Sequence, residues 1–122
     1  MLKFKNDDKQ LHDEFYYSIT ERLRTVLYNL AGYLESNFQK DLVITSLVRL
    51  DNKDSVHYYG RGADAETENL THQERIAAEE FINTNFQYDK AGQLATMIFE
   101  TKGQVINGTT ATADHWHIQT RE

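Results

Sequence analysis

The sequence predicts an α+β domain, a small and mainly antiparallel sheet with a long N-terminal helix and a second helix. Three observations predict it. Leu11, Phe15, Ile19, Leu23, Val26, Leu30 and Leu34 recur every three or four residues, which draws one apolar stripe down a helix. "LVITSLVRL" at 42–50 is short and rich in β-branched residues, as a buried strand is. "DHWHIQT" near the end alternates like a strand with one covered face.

Taken in order, the first helix is expected over 8–37, capped by Asp7 or Asp8 and ending at Asn37. The strand at 42–50 follows, then a loop, "DNKDSVHYYGRG", leading into a short strand at 62–66. Thr71 and Glu74 in "THQE" form a capping-box pattern ahead of "RIAAEEFINTNF", which makes a second helix with Ile76, Ala77, Phe81 and Ile82 facing inward. "LATMIFE" and "QVING" flank "TKG" as a hairpin with a glycine turn, and "DHWHIQT" closes the sheet. No repeat or linker interrupts the 122 residues, so residues 1–122 are expected to form a single domain.

Composition excludes several classes of function. A net charge of -6 leaves no basic patch for a nucleic acid. No apolar run reaches the roughly 20 residues that span a bilayer, and "MLKFKNDDKQ" has no apolar signal-peptide core. The expectation is a chain made in the cytoplasm, with no membrane insertion. Cysteine is absent, so any metal must be held by His, Asp and Glu.

The residues that carry chemistry sit in "SVHYYGRGAD" (55–64) and "DHWH" (114–117). A catalytic zinc site needs three nitrogen or oxygen ligands and an open position for water, and His57, Asp64 and His117 supply that number. Gly60 and Gly62 allow a tight backbone between the first two ligands. A base must take the proton of an activated water. Asp114 reaches it if the strand start turns inward; His115 lies on the face of His117 without distortion. Taken singly, each residue has a plainer role: His57 in a surface loop, Asp64 in a turn, His117 at the core edge, Trp116 in the core. Tyr58 and Tyr59 are candidates to line a cleft, and Tyr59 and Trp116 are candidate substrate contacts. His12 and His72 read as solvated; Glu66 and Glu68 flank the site and either bind substrate or form a solvated loop. "NGT" at 107–109 fits a glycosylation sequon that an unexported chain would not use.

"SVHYYGRGAD" resembles the Ser-x-His-x-x-Gly-x-Ala-x-Asp signature of the zinc D-alanyl-D-alanine carboxypeptidase superfamily, and "DHWH" resembles its acidic-x-Trp-His signature. That superfamily includes vancomycin-resistance D,D-dipeptidases and phage L-alanyl-D-glutamate endolysins, and shares its fold with the Hedgehog signalling domain. "ITSLVRLD" is similar to the strand with a terminal arginine that precedes the first signature. The resemblance implies Zn2+ on His57, Asp64 and His117, Asp114 as acid/base, Arg49 polarising the scissile carbonyl, and Ser55 at the rim as a substrate contact. In the carboxypeptidase branch, His115 would be a catalytic histidine. Gly62 stands where the signature has alanine, a change expected to loosen the second strand.

The function so implied is a zinc metallopeptidase that cleaves peptidoglycan stem peptides by attack of a zinc-bound water. It would be a monomer, acting on the wall after release or as part of a phage particle. The alternatives are a non-catalytic metal-binding or phage-structural protein that keeps the fold, and a domain with no metal.

Overall fold

Asp8 and Thr20 each accept a hydrogen bond from a backbone N–H three residues on, and each therefore starts a helix. The long stripe is thus divided between α1 (Lys9–Tyr17) and α2 (Glu21–Phe38), in a computed structural model that describes residues 1–89, 94–106 and 109–122. The single helix expected over 8–37 breaks at Ser18–Thr20. There the Thr20 N–H leaves the helix to donate to the Gly60 carbonyl (2.9 Å). The apolar spacing survives the break because both helices cover the same core: Phe15, Ile19, Leu23, Val26, Leu30 and Leu34 are all buried.

The sheet has five strands in the order β1 (Leu2–Phe4), β2 (Leu42–Ser46), β3 (Gly62–Glu66), β7 (His115–Gln119), β4 (Met97–Glu100). β1 runs parallel to β2 and the other pairs are antiparallel. A separate ribbon pairs β5 (Val105–Ile106) with β6 (Thr109–Thr110). The expected hairpin therefore forms otherwise. The chain does turn at "TKG", with Gly103 at φ +88, but β4 pairs with β7 while β5 turns away to pair with β6. Of the "NGT" sequon, Asn107 and Gly108 lie outside the described residues. The strand expected at 42–50 ends at Ser46, and Leu50 is exposed.

α3 (His72–Asn85) begins with the full capping box of Thr71 and Glu74. Of the residues expected to face inward, Ile82 is buried and Phe81 packs against the core, while Ile76 is exposed; Ala78 is buried on the inner side. Glu79 and Arg75 share that inner side because each has a partner there. Trp116 Nε1 donates to Glu79 Oε2 (3.0 Å), and the Arg75 guanidinium lies 3.8 Å from the centre of the Phe99 ring.

Strand alternation then sorts the sheet into two faces. Ala63, Ala65, Met97, Trp116 and Ile118 enter the core with the helices. The residues between them, Asp64 and Glu66, Ile98 and Glu100, His115, His117 and Gln119, line a cavity on the opposite face. Among the described residues no helix is long and apolar enough to cross a membrane.

Candidate metal centre

Asp64 and His117 are register partners on β3 and β7, so strand pairing alone sets their side chains side by side. His57 comes from a 3₁₀ turn, Val56–Tyr59, started by Ser55, whose Oγ accepts the His57 N–H (3.2 Å). Gly60 ends the turn at φ +69, and a Cβ there would stand 2.6 Å from the Ser18 carbonyl oxygen. Gly62 is equally constrained. A Cβ at 62 would meet Val56 Cγ2 at 2.6 Å and His57 Cδ2 at 3.1 Å. The expected loosening of β3 is therefore not what this glycine does: it makes room for Val56 and the His57 ring.

The two rings are oriented from behind. His57 Nδ1 lies 2.6 Å from the Leu47 carbonyl, which can only accept, so Nδ1 carries the proton and Nε2 presents a lone pair. β2 ends before Leu47, and that carbonyl is turned to the histidine. Gln119 Nε2 donates to the Ala95 carbonyl (2.9 Å), which leaves Gln119 Oε1 to accept from His117 Nε2 (3.2 Å). His117 Nδ1 is thereby turned to Asp64 Oδ1 at 3.2 Å. Outer partners of this kind fix the tautomer and aim of metal-binding histidines.

His57 is completely buried, and among the described residues its Nε2 has no hydrogen-bond partner, although Asp64 Oδ1 lies 3.3 Å away. With a ring proton on Nδ1, this sets an acceptor beside an acceptor, an arrangement that a cation between them would relieve. The donor atoms of His57, Asp64 and His117 lie within 4.8 Å of one another. Tetrahedral nitrogen and oxygen ligands about 2.05 Å from zinc stand about 3.4 Å apart. The 3.2 and 3.3 Å separations from Asp64 match that edge. The three residues can hold a metal ion, and their N₂O donor set suits zinc.

Burial alone would raise the Asp64 pKa. The hydrogen bond and charge of His117, with the His57 ring close by, outweigh it and hold the carboxyl well below the usual range. For His117 burial works downward, but the Asp64 carboxylate more than offsets it and the ring's pKa is raised.

No protein-family model, curated protein or solved structure matches the chain. The site is therefore read from its own geometry. Arg49, Ser55, Asp64, Asp114, His115 and His117 all line one cavity of about 600 Å³. Arg49 reaches within 3.9 Å of Asp64 Oδ2 and remains 37% exposed. Asp114 is exposed, and its Oδ1 accepts the Lys102 N–H (2.8 Å). His115 Nε2 lies 2.9 Å from Glu100 Oε1 and 3.9 Å from Asp64 Oδ1, while its Nδ1 donates to the Ala113 carbonyl (2.8 Å).

Two of the expected substrate contacts stand elsewhere. Trp116 is wholly buried on the helix side of β7. The Tyr59 ring packs edge-on to Tyr58 and stands 5.3 Å from the Arg61 guanidinium, and neither tyrosine lines the cavity. His12 and His72 are exposed as expected. Glu100 went unnoticed in the sequence. Its signal is the alternation of "MIFE", which puts Ile98 and Glu100 on the face opposite Met97 and Phe99, but that becomes informative only once β4 is known to pair with β7.

Proposed function

We propose that the protein is a zinc-dependent peptidase that cleaves peptidoglycan stem peptides. The observation that carries this reading is the orphaned Nε2 of buried His57, converging with Asp64 and His117 beside an open cavity that Arg49 and His115 also line. The resemblance of "SVHYYGRGAD" and "DHWH" to the zinc D-alanyl-D-alanine carboxypeptidase superfamily supports the substrate class. The split of the sheet into a helix-covered face and a ligand-bearing face supports a Hedgehog-type fold.

Zinc on His57, Asp64 and His117 would supply an acidified water and a Lewis acid for the peptide carbonyl. The chain's own residues do the rest. Arg49, 37% exposed, offers fixed positive charge to the carbonyl oxygen as the amide is attacked. His115 Nε2 and Glu100 Oε1 face each other at 2.9 Å, next to Asp64. That pair accepts the water's proton and returns one to the leaving amine when the C–N bond breaks. Asp114 fastens the Lys102 turn, so proton transfer is assigned to His115. Ser55 sets the turn that carries His57 and stands at the rim as a substrate contact.

The test is incubation of the zinc-loaded protein with purified peptidoglycan and synthetic stem peptides, with products read by mass spectrometry. A new free amine and carboxylate at one peptide bond are expected. A zinc-loaded protein that releases no fragment would overturn the peptidase reading in favour of a metal-binding or particle component.

A further inference from the structure

A helix lying on a sheet usually turns an apolar stripe toward it, but α3 also turns a polar one. Arg75, Glu79 and Asn83 are spaced four residues apart, so they form one line along the helix, and each meets β4 or β7. The Asn83 amide holds the Met97 backbone twice: Nδ2 donates to the carbonyl (3.0 Å) and Oδ1 accepts the N–H (2.9 Å). The Thr96 carbonyl accepts the Gln119 N–H, so the backbone groups of the next residue, Met97, point away from β7. β4 is the last strand of its sheet, and Asn83 makes at Met97 the two bonds that a further strand would have made. Closer to the start of α3, Glu79 Oε2 accepts from both Trp116 Nε1 (3.0 Å) and Arg75 (2.7 Å), and the Arg75 guanidinium covers the Phe99 ring. A polar network paired in this way rigidifies the elements it joins.

Phe99 and Trp116 are register partners, and so are Met97 and Ile118. The pairs that alternate with them, Ile98 with His117 and Glu100 with His115, face the cavity. α3 thus holds the strands at the pairs interleaved with those that bear the site, while Arg75, Glu79 and Asn83 themselves stay outside the cavity. Among the described residues β4 has β7 as its only strand neighbour, so the 2.9 Å approach of Glu100 to His115 depends on how β4 is seated. The three residues that could hold a metal stand on β3, β7 and the 56–59 turn, away from β4.

We propose that Asn83 and Glu79 are positioning residues, which from α3 lock β4 against β7 so that Glu100 meets His115. The effect on turnover rests on the peptidase reading; the effect on the Glu100–His115 contact does not.

The experiment compares Asn83→Ala with the parent, both zinc-loaded, once far-ultraviolet circular dichroism has shown the fold to be kept. Its first readout needs no turnover. In proton–nitrogen correlation spectra of the histidine rings, Asn83→Ala is expected to move the His115 signals in the direction that Glu100→Gln moves them, and to leave those of His57 and His117 in place. The second readout is steady-state cleavage of stem peptide. There kcat is expected to fall about 10–100-fold with KM changed less than about twofold. In a Glu100→Gln background the same substitution is expected to lower kcat by less than about a further twofold, because the group it positions is already gone. A general loss of stability would act alike in both backgrounds. Glu79→Gln keeps an oxygen for Trp116 Nε1 but loses the charge facing Arg75; it is expected to act in the same direction, and it carries the test if Asn83→Ala does not fold. Glu80→Gln, exposed on the same helix, is expected to change nothing. Unmoved His115 signals, or a kcat loss of equal size in the Glu100→Gln background, would overturn the inference. Moved His115 signals without cleavage by any form would uphold the positioning and sink the peptidase reading.

Discussion

Asp64 and His117 stand directly opposite each other on β3 and β7, with Oδ1 and Nδ1 3.2 Å apart. In the metal-free chain a proton on His117 holds this pair together, and the raised pKa of His117 expresses that preference. The sign follows. The folded chain binds this proton more tightly than the unfolded one, so the stabilisation is complete below the ordinary histidine value of about 6.5 and is lost as pH rises through the raised folded value. In chelator, the urea midpoint should fall between pH 5.5 and 8.5. With zinc it should not fall, because the metal replaces the proton. A chelated protein whose midpoint rises over that range would contradict the pair.

Gly62 tests how the turn and the strand share space. Gly62→Ala drives a Cβ into Val56 and toward the His57 ring, and should cost about 1–3 kcal/mol of stability and weaken metal binding. Val56→Ala in the same chain should recover most of the loss. Denaturant unfolding of the two variants and the double variant decides it. A single variant as stable as the parent would show that the contact is not tight.

Gln119 holds His117 and would act through it on a bound metal. Gln119→Leu removes the acceptor for His117 Nε2, frees the ring to turn, and should lower zinc affinity about 10–100-fold. Competition with a chromogenic chelator measures this, and unchanged affinity would remove Gln119 from the account.

His115 and Asp114 make opposite predictions as proton carriers. His115→Ala should lower kcat about 10²–10⁴-fold with zinc content retained. Asp114→Asn, which keeps an oxygen acceptor for the Lys102 N–H, should change kcat by less than about tenfold. Glu100→Gln should resemble His115→Ala in direction. The reverse order would move the proton to Asp114.

What was legible in the sequence follows the range of the forces involved. The ends of β3 and α3 were readable, because glycine spacing and the Thr71–Glu74 box act within a few residues. The break at Ser18–Thr20 was hidden by an apolar stripe that continues across it, and the mark of the break is Thr20 followed by Glu21 at a helix start. β1 is three residues long and exists by pairing with β2, a contact about forty residues away that no local pattern records. The three residues that could hold a metal ion, His57, Asp64 and His117, were legible through their spacing. Their supports were not: the Leu47 carbonyl, Gln119 and Glu100 become partners only when distant strands meet. Trp116 shows the converse, since its place beside His117 suggested substrate contact while alternation sent it to the core.

The measurement that bears most directly on the metal centre is zinc content by elemental analysis of the purified protein and of His57→Gln, after reconstitution and removal of loose metal. The account predicts about one zinc per chain in the parent and at least a tenfold lower affinity in the variant, with the far-ultraviolet circular dichroism of the two alike. A correctly folded parent that takes up no zinc would contradict it.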